Sequence, residues 1–193
     1  MTARLRLLLA AVLVTLFVVG GSTAAWALWT TSGSATSSIT IGKLAAAISG
    51  AEQMTTTFSA TNQTVTSPLT LTNSSNITGT TATTLQVTSD SSSALAQAVQ
   101  VTAWPVSGTA ACTTTTAVGT GSVSGPWASL PSHTTTLAPG AATVWCVRST
   151  ITASAPPSAT ANVHIVLTTT NGSWTSDVVW GGFYLNSSAA STS

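Results

Sequence analysis

The chain has 193 residues but only four Lys or Arg and three Asp or Glu, so 4% of it is charged while 44% is hydrophobic. Counting along it gives 40 Thr and 28 Ser, a hydroxyl at 68 of 193 positions. That balance is too apolar for a solvated disordered tail, too poor in Lys and Arg to neutralise nucleic-acid phosphates, and too poor in Glu, Lys, Arg and Gln for helical surfaces. A Thr- and Val-rich β protein of one-domain length remains.

The first six residues hold Arg4 and Arg6, Leu7–Val19 is apolar except for Thr15, and Ala25-Trp26-Ala27 places small residues two apart. A basic start, a short apolar run and an A-x-A-like exit predict a secretory signal peptide over residues 1–27, a helix before removal. Its partner in export is a signal peptidase, and the product is secreted or held at the cell surface. Apolar character continues to Trp29, and Leu7–Trp29 is long enough to span a bilayer, which takes about 20 residues. An uncleaved anchor is therefore the competing reading, with Gly20, Gly21, Ser22 and Thr23 against it. Cleavage leaves 166 residues carrying Lys43 and Arg148 against Glu52, Asp90 and Asp177, a net charge of −1. Charge is a common defence against edge-to-edge pairing of sheets. This domain either covers its edges or works by self-association.

Residues 28–186 predict a single domain without a repeat or linker. Residues 28–44 predict an N-terminal strand in which Ile39 and Ile41 alternate with Ser38 and Thr40. Ala45–Gln53 carries a weak helical pattern. Leu69 and Leu71 then alternate with Thr70 and Thr72, and Leu85 and Val87 flank Gln86. Ser92–Gln100 predicts a short helix. Beyond it Val99, Val101 and Ala103 face one way and Gln100, Thr102 and Trp104 the other. Val163, Ile165 and Leu167 oppose His164 and Val166. Turn chemistry stands between these runs at Asn73-Ser-Ser-Asn76, Gly119–Gly125, Leu137-Ala-Pro-Gly140 and Ala155-Pro-Pro157. Asn171-Gly172 predicts a type I′ hairpin, and Ser187–Ser193 a disordered tail. The sum is an all-β fold, a two-sheet antiparallel β-sandwich of jelly-roll or Ig-like kind.

Cys112 and Cys146 are the only cysteines, and an exported chain with an even count predicts a disulfide between them. A reactive thiol or a metal ligand is the alternative. His133 lies in a Pro/Ser/Thr loop and His164 on the outward phase of a strand, both with the stamp of surface histidines. Neither H-E-x-x-H nor G-x-S-x-G occurs, the carboxylates are scattered, and Gly119-Thr-Gly121 lacks the rest of a phosphate cradle. The sequence therefore predicts no enzyme, with no catalytic residue, metal or cofactor. Five tryptophans, Trp104, Trp127, Trp145, Trp174 and Trp180, belong to the domain. They serve the core or a subunit contact, or they stack on a ligand, for which Trp127, Trp174 and Trp180 are the candidates.

The stretch Val18-Val-Gly-Gly-Ser-Thr-Ala-Ala-Trp-Ala-Leu-Trp-Thr30, followed by Ser37-Ser-Ile-Thr-Ile-Gly-Lys-Leu44, resembles the TasA/camelysin-like family, whose signals are handled by a SipW-type signal peptidase. Trp26 and Trp29 match its aromatic positions, and Gly42 and Leu44 its turn. Leu71-Thr-Asn73 resembles the family's strand ending in an asparagine turn. Leu137–Arg148 is similar to a loop and strand of actinobacterial-type members. The resemblance implies a secreted jelly-roll-like sandwich of the cell surface, extracellular matrix or biofilm, whose relatives can form fibres by lending an N-terminal strand to the next subunit. Camelysin-type relatives are described as metallopeptidases, but this sequence has no recognisable zinc ligand set, so that activity is not carried over. Ile39, Ile41 and Leu44 would belong to the donated strand, or the same segment pairs within its own sandwich. The functional expectation is a non-enzymatic structural protein that associates with itself or with other matrix proteins. A carbohydrate-binding or adhesion module that meets polysaccharide through exposed tryptophans is the alternative.

Overall fold

The computed structural model describes residues 42–77 and 84–188. The signal segment 1–27, Ile39, Ile41 and the rest of the N-terminal strand up to residue 41 lie outside the described residues, as do residues 189–193 of the tail.

Short strands follow one another as the turn spacing predicts. They are β1 (Ala46–Ser49), β2 (Thr56–Phe58), β3 (Thr64–Asn73), β4 (Thr84–Asp90) and β5 (Val99–Val106). After these come β6 (Val123–Pro126), β7 (His133–Thr136), β8 (Ala142–Ile151), β9 (Thr160–Asn171), β10 (Trp174–Thr175) and β11 (Val179–Ser187). One short helix, α1 (Ala94–Ala98), precedes β5, capped where the Ser93 hydroxyl accepts from Ala96 N–H at 3.1 Å. It occupies the centre of the helical window, and Val99 and Gln100 begin the strand instead. The Ala45–Gln53 window holds β1 and a 3-10 turn at Ala51–Met54, not an α-helix.

The strands form a two-sheet sandwich. The five-stranded sheet runs β1-β3-β8-β5-β6; the six-stranded sheet runs β2-β11-β9-β4-β7, with β10 paired to β9. All pairings are antiparallel except β2 with β11, which is parallel. The predicted two-sheet antiparallel sandwich is present, with this one parallel pair at its edge. The Ala51–Met54 turn carries the chain from one sheet to the other, and β2 enters beside the last strand running in its direction.

Period two decides what lies between the sheets. Leu69 and Leu71 from β3, Val99 and Val101 from β5, and Val163, Ile165 and Leu167 from β9 are buried as their alternation predicts. Phe183 and Leu185 from β11 join them. At about 25 cal/mol per Å² of apolar surface, this burial is the main stabilising term, because few charges exist to contribute.

Two of the predicted turns are tied into one unit by Asn73, whose side chain is fully buried. Its Nδ2 donates to Leu137 O at 2.8 Å, its Oδ1 accepts from Ser75 N–H at 3.0 Å, and its main chain bonds to Ala141 and Gly140. A buried amide must be satisfied in this way to be tolerated. The hairpin at Asn171-Gly172 forms one residue later than expected. Asn171 pairs with Trp174, so Gly172 and Ser173 make the turn, with Gly172 at φ 59°. Positive φ at the first central residue alone is the type II′ pattern, not I′. Ser187 also departs from its place in the expected tail: it is buried at the end of β11, where its hydroxyl donates to Pro156 O and accepts from Ala159 N–H.

Candidate functional site

Three features of the sandwich could make contact with another molecule: the two outer faces and a crevice between the sheets. On the outer face of the five-stranded sheet, Trp104 takes the outward phase of β5 as its alternation predicts, yet it is only 1% exposed. The segment between β5 and β6 folds back over it. Cys112 on that segment is bonded to Cys146 on β8, and Cys146 stands opposite Trp104 in the sheet register. Arg148, next outward on β8, lies 5.0 Å from the Trp104 ring centre. Its Nη2 donates to the carbonyls of Thr114 and Thr116 at 3.0 and 2.8 Å. A disulfide, a cation over an aromatic face and two charge-assisted hydrogen bonds thus fasten the loop down. The chain carries the predicted Cys112–Cys146 disulfide.

Among the described residues, the outer face of the six-stranded sheet has no such cover. Trp180 and Tyr184 on β11 are 55% and 53% exposed, with Gly182 between them on the same phase. His164 on β9 sits opposite Gly182 in register, and its ring meets Trp180 edge-on at 5.6 Å and 90°. Sequence reasoning missed Gly182 and Tyr184. Gly181-Gly182-Phe183-Tyr184-Leu185 reads as one apolar run, and only the pairing with β9 shows which members face out.

Each tryptophan candidate has a definite place. Trp127 is not an exposed ligand platform: it is 1% exposed, its indole N–H donates to the Ser149 hydroxyl at 3.1 Å, and Phe183 packs edge-on against it at 5.0 Å. A 3-10 turn, Trp127–Ser129, drives it into the core as the chain passes between the sheets. Trp174 is 75% exposed but pairs with Asn171 at the hairpin end, on the phase opposite to Trp180. Trp174 and Trp180 therefore do not form one surface.

The crevice opens on the flank formed by β6 and β7. Its cavity of about 40 Å³ is lined by Leu69, Val123, Leu130, Pro131, His133, Trp145 and their neighbours. One water needs only about 10–15 Å³, but these walls are almost wholly apolar and suit an aliphatic side chain better. The Trp145 indole N–H is buried without a hydrogen-bond partner among the described residues. His133 starts β7 instead of lying in a loop, and its ring meets Trp145 edge-on at 4.4 Å and 61°. Burial holds its pKa below the ordinary 6.5 by desolvating the charged form.

The described part of the expected N-terminal strand is held on the opposite flank. Lys43 N–H donates to Asn76 Oδ1 at 2.6 Å, Asn76 N–H to Lys43 O, and Ala45 N–H to the Ser75 hydroxyl. Leu44 is half-buried beside β1, the outermost strand there. The edge strands β1, β2, β6 and β7 are three or four residues long. Shortness, not charge, blunts them.

Among the described residues no three His, Cys, Asp or Glu side chains gather as metal ligands. No helix among them is long and apolar enough to cross a membrane. Compared with known proteins, the chain matches no protein-family model and no curated relative.

Proposed function

We propose that this protein is an exported, non-enzymatic structural subunit of the cell surface or extracellular matrix that assembles head to tail, each subunit lending its N-terminal segment to the next. The observation that carries this reading is the opposition of the two flanks. Lys43–Ala45, at the start of the described chain, lie beside β1, while the apolar crevice opens beside β6 and β7, at the other end of the sheet order. A contact joining two different surfaces is heterologous and extends into an open filament when the rotation does not close. An incoming strand brings aliphatic side chains for the crevice and main-chain carbonyls for a free indole donor. Ile39 and Ile41 supply the alternation, and Lys43–Ala45, already bonded to their own domain, set the point from which the arm swings out. The resemblance to TasA/camelysin-like proteins points the same way, with a signal peptidase removing residues 1–27.

The test is the state of the exported chain beside a variant lacking residues 28–41, by sedimentation velocity and negative-stain microscopy. Filaments from the first, and a monomer with unchanged thermal unfolding from the second, are expected. A monomer in both cases at high concentration overturns the proposal.

A further inference from the structure

The bare face of the six-stranded sheet uses none of the residues that strand donation needs. We infer that its Trp180–Tyr184 strip binds an extended, electrically neutral polysaccharide, with a sugar ring stacked on each aromatic. The two side chains share the outward phase of β11 and stand about 13 Å apart at about 3.3 Å per residue. Gly182 between them adds no side chain of its own, and the His164 ring of the neighbouring strand lies beside it, so the floor between the two aromatics is a flat imidazole. A Cβ at Gly182 would stand 3.2 Å from His164 Cδ2 and press the imidazole aside by a few tenths of an ångström. His164 braces the indole edge-on, which holds one platform in place before a ligand arrives. Asn162, exposed opposite Tyr184, supplies amide hydrogen bonds at the rim. Asn186, whose Oδ1 accepts from the Thr160 hydroxyl, keeps its donors available for the same work.

Charge selects the class of partner. Strands β2, β9 and β11 contain no Asp, Glu, Lys or Arg. An anionic polymer or an acidic protein finds no cation on them, and the one charged residue on the neighbouring β4, Asp90 in register with His164, is an acid that disfavours such a partner further. A pyranose ring offers an apolar C–H face to an aromatic ring and hydroxyls to amides, which is the division of polarity along this strip. Area argues against a second copy of the chain as occupant. A fully buried aromatic covers about 150–250 Å², so two that are half-exposed offer about 150–250 Å² together, far below the roughly 800 Å² per partner of a stable dimer.

The experiment is co-sedimentation of the exported chain with microcrystalline cellulose and with insoluble chitin, at low and high salt and with soluble polygalacturonate as competitor. Retention on at least one neutral polymer is expected, insensitive to salt and competitor. Trp180→Ala and Tyr184→Ala should each weaken it about tenfold, while Trp174→Ala and deletion of 28–41 leave it unchanged. Removal of 28–41 thereby separates this inference from strand donation. Retention that survives both Trp180→Ala and Tyr184→Ala, or no retention on either polymer, overturns it. So does loss of self-association in those two variants without any polymer binding, which would give the strip to a second copy.

Discussion

Trp104 and Trp180 occupy equivalent positions on opposite sheets: both take the outward phase of an interior strand, yet one is 1% and the other 55% exposed. The difference lies in what happens to the chain next. After β5 a segment of about sixteen residues returns over its own sheet and is fastened by Cys112–Cys146 and Arg148. Before β11 the chain passes from a two-residue hairpin strand straight back into the ladder, with Ser176 N–H bonded to Thr169 O and its hydroxyl accepting from Thr169 N–H. Between β9 and β11 the described chain leaves no residues over to form a cover. Alternation assigns a side chain to a face, and loop length with its fastenings assigns that face to protein or to solvent.

Four sets of substitutions would break or sharpen this contrast. The largest effect is expected from Trp104→Ala, about 3–5 kcal/mol of lost stability in urea unfolding, as for a buried tryptophan. Trp180→Ala should stay within about 0.5 kcal/mol. Equal effects would erase the distinction between the faces. Replacing both Cys112 and Cys146 with serine should cost about 3–4 kcal/mol on the chain-entropy model for a loop of this span. It should also shift tryptophan emission to the red as the cover lifts from Trp104. Arg148→Met keeps the stem but loses the cation and two carbonyl bonds, so about 1–3 kcal/mol is expected.

The smallest effect concerns His133 at the crevice mouth. Its pKa is lowered by desolvation in the folded state, so as pH falls the unfolded chain takes the proton first. The stability linked to this group is complete above the ordinary 6.5 and declines as pH drops through that value toward the folded pKa. His133→Gln should flatten that decline between about pH 7 and pH 5, measured by thermal unfolding across the range.

Much of the sandwich was legible in the sequence because its long strands alternate cleanly. Leu69 and Leu71, Val99 to Ala103, and Val163 to Leu167 sit where period two puts them. The disulfide was legible from an even cysteine count. Three things were not. The parallel entry of β2 rests on three residues, too few to show a period. The depth of Trp127 comes from a 3-10 turn between sheets, where no periodicity applies. The aromatic strip was hidden because Gly181 and Gly182 break the contrast between inward and outward residues; only the register with β9 restores it.

Head-to-tail donation has a signature that side-by-side association lacks. A chain without residues 28–41 keeps its crevice but has no strand to lend, so it should cap a growing end. The decisive measurement is filament length by electron microscopy as this variant is titrated into the exported chain. Mean length should fall steadily with the fraction of variant added. Lengths that do not change with added variant would contradict assembly through the crevice.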